Sequence, residues 1–414
     1  MTETRPTGST ASDPEPKGGR PSESRPGRDS YLDNAKGLLI VLVVIGHSIE
    51  LAHGTRAEAL YVMIYSFHMP AFVFITGYLT RGFTASVKGY LKIVTNLLVP
   101  YAIFQVLHRI CSTILEGEDF TLSLLQPEWT LWFLLATAWW RAFTPLLMKL
   151  PHRLPIAVAV SLGAGFLPEL TSTLALNRTL TLLPFFVLGL SIKPRHLELI
   201  KKHFTRVSGL ITFGVLGVLA LGIQGAVPND TFFYNASFHE LDGDIGQGIL
   251  YRLATMATGV VGTCAVLAIV PVQKTWWTYL GKFSMYVYVL HALVIHVLRA
   301  FDLASWPSSW IDVSLVALAA VLLSLVLASR PVRVVMKPVV QPPIQKLVEL
   351  VPDDKDKQGT AKQDQDTAQS KAADKPDADD PNADKQDSAA QETRESAEQD
   401  RTTRDRPTQD RPTT

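Results

Sequence analysis

From residue 31 to 336 the chain alternates long apolar runs with short polar breaks, and outside that stretch the runs stop. Runs of about 18 residues or more with few charges read as membrane-spanning helices. The first runs from near Leu32 to about Ala52 and the second from about Leu60 to Leu79. Tyr90 to Leu115, Trp129 to Leu147 and Leu154 to Leu170 follow, then Leu180 to Ile192 and Val207 to Ala226. After a polar loop, Val227 to Gly246, come Ile249 to Val270, Trp276 to Leu298 and Ile311 to Ala328. The pattern predicts an all-α polytopic membrane protein of about ten transmembrane helices.

Charge sets the expected orientation. Lys and Arg concentrate in alternate breaks: Arg81, Lys88 and Lys92; Arg141, Lys149 and Arg153; Lys193 to Arg206; Lys274 and Lys282. The arm before the first run adds Arg20, Arg25, Arg28 and Lys36. The opposite breaks hold mainly Arg56, Arg178, Arg252 and Arg299. A bias of roughly four to one predicts that both termini face the cytoplasm, in a plasma or inner membrane. The mean hydropathy of +0.16 hides this partition. Residues 1–30 are rich in Pro, Ser, Gly and charge, and the tail beyond Pro352 has no aliphatic side chain larger than alanine. Such composition predicts disordered tails. The domain expectation is a cytoplasmic arm (1–30), a membrane domain (31–336) and a charged cytoplasmic tail (337–414). The net charge of +1 is uninformative, because the tails and loops cancel; no nucleic-acid partner is expected. Cys111 and Cys264 both fall in expected spans, so no disulfide framework is implied.

Two histidines stand out. His47 ends the run Gly37 to Gly46, and His68 sits in Ser66-Phe67-His68-Met69-Pro70. Ionisable groups at membrane depth are costly and mark functional sites. His47 lies about 16 Å of helix rise from Lys36, and His68 about 20 Å from Arg81. A hairpin would therefore bring both imidazoles to similar depth. Asp33, Lys36, Ile40, Val44 and His47 fall on one helical stripe. Pro70 should break the second span, and irregular backbone at that depth suits a cavity. Arg81, Lys88 and Lys92 form a basic cluster suited to a phosphorylated cytosolic ligand, although a plain positive-inside bias would also produce it. Arg252 lies near the apolar region with no adjacent acid and calls for Asp242, Asp244 or a substrate as partner. Tyr288 and His291 share a face. Trp129 reads as an interfacial aromatic. No metal set is assigned.

Four patches resemble the acyltransferase 3 family of multipass membrane enzymes, and most of all its fucose 4-O-acetylase-like branch. They are Asp33-Asn-Ala-Lys36-Gly37 through Gly46-His47; Ser66-Phe67-His68-Met69-Pro70 through Gly77-Tyr78; Trp132-Phe133-Leu134; and Tyr279 through Tyr288 to His291. Thr76 departs from the serine common before the glycine. The resemblance implies transfer of an acyl group, usually acetyl from acetyl-CoA, to a hydroxyl of a sugar or glycolipid acceptor, with His47 essential.

The expected machinery has His47 as base and His68 orienting or stabilising the oxyanion. Lys36, Arg81, Lys88 and Lys92 would hold the acyl-CoA co-substrate, with no tightly bound cofactor. Asp33, Tyr78, Trp132, Arg252, Tyr288 and His291 would hold the acceptor. The rival expectation is a transporter that uses the histidines as a proton relay.

Overall fold

A computed structural model describes residues 30–50, 55–167, 173–223, 226–241, 244–301, 309–344 and 348–351. Asp242, the arm before Ser30 and the tail after Val351 lie outside them, and with these the expectations of disordered tails. Every described regular element is helical. In chain order these are α1 (Ser30–Ile49), α2 (Thr55–Tyr65), α3 (His68–Thr80), α4 (Val87–Ile93) and α5 (Val99–Leu115), the last two joined by a π-turn. Then come α6 (Trp132–Lys149), α7 (Arg153–Ala164), α8 (Leu176–Thr181), α9 (Leu183–Ser191), α10 (Pro194–His203) and α11 (Arg206–Gly222). The rest are α12 (Asp230–Phe233), α13 (Ile245–Ile269), α14 (Trp276–Lys282), α15 (Ser284–Ala300), α16 (Trp310–Ala328) and α17 (Arg330–Val340).

Among the described residues, five helices or continuous helix pairs are long and apolar enough to cross a membrane, and up to eight if each of three bent pairs is one span. Each of the ten apolar runs is helical over most of its described length. The difference from ten lies in length and straightness. Helix α7 has 12 residues, about 18 Å at helical rise and short of the hydrocarbon thickness. Helices α8 and α9 meet at 58°, and α14 and α15 at 76°.

The second span breaks three residues earlier than Pro70 suggests, between Tyr65 and His68. Pro70 falls in the first turn of α3, where a missing N–H costs nothing. The break therefore sits where the His68 ring can reach back to the Ile64 carbonyl, 2.8 Å away.

Two close crossings fix the helices around the histidines. A Cβ on Gly281 would sit 1.8 Å from the Asp33 carbonyl oxygen, and one on Gly77 2.1 Å from that of Phe186. Glycine allows α1 to cross α14, and α3 to cross α9, at backbone distance, as small residues do between membrane helices. Asn34 locks the first crossing. Its amide donates to the carbonyls of Pro271 (2.6 Å) and Gln273 (2.8 Å), and its oxygen accepts from the hydroxyls of Thr275 and Thr278. Its hydrogen-bonding capacity is thus filled in the half-buried turn between α13 and α14.

Candidate active site

His47 and His68 line one cavity of about 190 Å³. Its wall comes from the end of α1, the α2–α3 break, the segment before α6, helix α8 and the α12 loop. Tyr65 stands between the histidines, its ring centroid 5.9 Å from His47 and 4.7 Å from His68. Trp132 also lines this cavity.

Hydrogen-bond partners fix how each imidazole is protonated. His47 Nδ1 lies 3.2 Å from Glu50 Oε2 and 3.0 Å from the Tyr65 hydroxyl. Glu50 is held between two nitrogen donors, His47 Nδ1 on one oxygen and the Arg299 guanidinium on the other, and donors on both oxygens favour the carboxylate form. Glu50 is therefore a carboxylate that accepts from Nδ1–H, and the form of the ring that can act as a base has its lone pair on Nε2. Arg299 steadies the other Glu50 oxygen at 3.2 Å and stacks over Trp129 at 4.2 Å. Trp129 also meets His47, with ring centroids 4.6 Å apart. Trp129 has φ of 24°, a conformation few non-glycine residues adopt. It belongs to the site rather than to an aromatic belt.

His68 Nδ1 faces the Ile64 carbonyl oxygen. A carbonyl only accepts, so Nδ1 carries the proton and Nε2 is an acceptor. Neutral His68 thus has no N–H to offer an oxyanion, and the stabilising role expected of it does not fit; orienting a hydroxyl does. His291 is tied the same way, Nδ1 to the Val287 carbonyl at 3.0 Å. It lines neither this cavity nor the one around Lys36 and lies behind His47, at 5.5 Å between centroids.

A second cavity, about 220 Å³, is lined by Lys36, Thr76, Arg141, Met285 and Tyr288 among others. Met69 lines both cavities. Lys36 pairs with Asp33 at 2.7 Å. Asp33 is buried at the α1–α14 crossing, about 21 Å of helix rise from His47, and lines neither cavity. The Tyr288 hydroxyl donates to the Thr130 carbonyl.

Three further expected residues have partners within the protein. Arg81 donates to the carbonyls of Tyr78 (2.9 Å) and Ile192 (2.6 Å) and stacks on the Tyr78 ring. It ties the end of α3 to the end of α9, which occupies Tyr78 and leaves the basic cluster to Lys88 and Lys92 on α4. Arg252 needs neither an acid nor a substrate. Its guanidinium donates to the Ser161 and Ala236 carbonyls and the Thr181 hydroxyl, while Asp244 caps α13 through the Gln247 N–H. Buried cations satisfied by carbonyls are clamps.

The sequence does not single out Glu50, Tyr65 or Arg178 for the site. A signal existed for Glu50, three residues past His47 and so on its helical face. Arg178 and the α12 loop carry no local signal.

A family model described as "Acyltransferase domain", that of the acyltransferase 3 family, matches residues 29–329. The nodulation protein NolL of Sinorhizobium fredii is 29% identical over 262 residues, 58% of this chain and 68% of the relative. NolL of Mesorhizobium japonicum is 48% identical over 60 residues, 13% of this chain and 16% of the relative. No solved structure matches.

Proposed function

Because the chain belongs to the acyltransferase 3 family of multipass membrane acyltransferases, we propose that it moves an acetyl group from acetyl-CoA to a hydroxyl of a sugar or glycolipid acceptor. The observation that carries this reading is the His47–Glu50 pair. A carboxylate on Nδ1 and a lone pair on Nε2 in a cavity make a general base for a hydroxyl.

In this reading the acceptor enters the His47 cavity past the α12 loop. Nε2 of His47 takes its proton, Nε2 of His68 accepts from a neighbouring hydroxyl, and Trp132 offers a ring face. The hydroxyl oxygen attacks the thioester carbonyl, the C–S bond breaks, and the CoA thiolate leaves with the proton that His47 had taken. Glu50 steadies the imidazolium formed meanwhile. The donor approaches through the cavity lined by Lys36 and Arg141, with its phosphates near Lys88 and Lys92. The charge bias supports placing that cavity toward the cytoplasm, in a ten-span arrangement with both termini on the same side.

The test is acetyl transfer from radiolabelled acetyl-CoA in membranes, with expression checked for each variant. His47→Gln keeps polarity and approximate size. As a general base its loss lowers transfer by about 10²-fold or more, with acetyl-CoA still bound. Lys88→Ala with Lys92→Ala weakens acetyl-CoA binding and affects the chemical step less. Near-normal transfer by a well-expressed His47→Gln protein removes His47 from the mechanism.

A further inference from the structure

Arg178 is the cation that the mechanism above leaves without a role. It enters the His47 cavity from α8. Its Nε donates to the Phe233 carbonyl at 3.1 Å, and its guanidinium carbon lies 5.0 Å from the Trp132 ring centroid. Those contacts hold the fork at one edge and one face. Among the described residues it forms no ion pair, although Glu50 and Asp230 line the same cavity. Its Nη groups have no hydrogen-bond partner there. Arg81 and Arg252, by contrast, direct their Nη groups to protein oxygens. An arginine lining the same cavity as a base, pinned by Nε with its Nη donors unused, is built to meet negative charge on a ligand.

The reaction develops such charge in one place. As the acceptor C–O bond forms, the carbonyl π pair moves onto the acyl oxygen. It returns when the C–S bond breaks and thiolate leaves. Neutral His68 and His291 present acceptors toward their free edges and cannot neutralise that oxygen.

We infer that Arg178 donates its Nη–H groups to the acyl oxygen and is the oxyanion-stabilising catalytic residue of this cavity. The inference rests on the acyltransferase reading of the His47 site. Arg178 acts on the transition state, so its removal lowers kcat and leaves the KM for acetyl-CoA nearly unchanged.

The probe is acetyl-CoA with water as acceptor, followed as free thiol release by the full chain in nanodiscs. Water forms the same oxyanion and makes an unidentified acceptor unnecessary. Arg178→Gln is expected to lower kcat by about 10²–10³-fold, the usual loss for one oxyanion donor. Arg178→Lys keeps a cation without the fork, falls between the two, and carries the test where the Gln variant is not monodisperse. A raised KM with unchanged kcat overturns the inference and makes Arg178 a ligand-binding group. Wild-type kcat in Arg178→Gln, beside a dead His47→Gln, overturns it alone. Equal thiol release by wild type and His47→Gln overturns the base reading, and the Arg178 assignment falls with it.

Discussion

Replacing Glu50 by Gln isolates the contribution of charge at the His47 pair. The substitution is nearly isosteric, and a Gln oxygen can still accept from Nδ1. What disappears is the attraction between the carboxylate and the imidazolium formed as His47 takes the acceptor's proton. At the observed 3.2 Å, two unit charges attract by about 1 kcal/mol in water and about 5 kcal/mol at an effective dielectric near 20. The His47 and Glu50 side chains are 15% and 24% exposed, which places the pair between those limits. At 1.36 kcal/mol per tenfold, the loss falls between roughly tenfold and several thousandfold, centred near 10²-fold. It belongs in kcat, because in the base mechanism the imidazolium forms with the proton transfer. The assay is thiol release from acetyl-CoA by the full chain in nanodiscs, with melting temperature measured beside it, since Arg299 loses its carboxylate too. A folded Glu50→Gln protein within about threefold of wild-type kcat refutes the dyad, because even the aqueous limit of the attraction exceeds that.

Arg252→Met leaves the Ser161 and Ala236 carbonyls without their donor. It is expected to lower the melting temperature, by the equivalent of about 2–5 kcal/mol, with kcat preserved in the protein that folds; a large kcat loss at normal stability would return Arg252 to the acceptor site. For topology, a reporter fused after residue 340 is expected to behave as cytoplasmic and one in the Val227–Gly246 loop as external. An external reporter at residue 340 overturns the even number of spans.

The apolar runs and the two histidines are legible in the sequence because both are local properties. A run of aliphatic residues must hide its backbone in helices whatever surrounds it, and His47 and His68 are conspicuous because little else there is ionisable. The glycines at 37, 77 and 281 are visible too, but their reason, backbone against backbone, appears only in the crossings. Which cation is free and which is tied was not legible. Arg81, Arg178 and Arg252 look alike along the chain. Arg81 and Arg252 turn out to be clamps because carbonyls 111 and 91 residues away meet their guanidinium groups. Arg178 keeps its fork open because only Nε finds a carbonyl, 55 residues away. The tautomers of His68 and His291 follow from backbone oxygens one turn earlier, a local fact. The pairing of Glu50 with Arg299 spans most of the chain. Hydrophobicity, summed along a segment, determines that it is a membrane helix. The partner of each polar group is a pairwise matter, decided when the helices come together, so the chemistry of this cavity belongs to the tertiary structure.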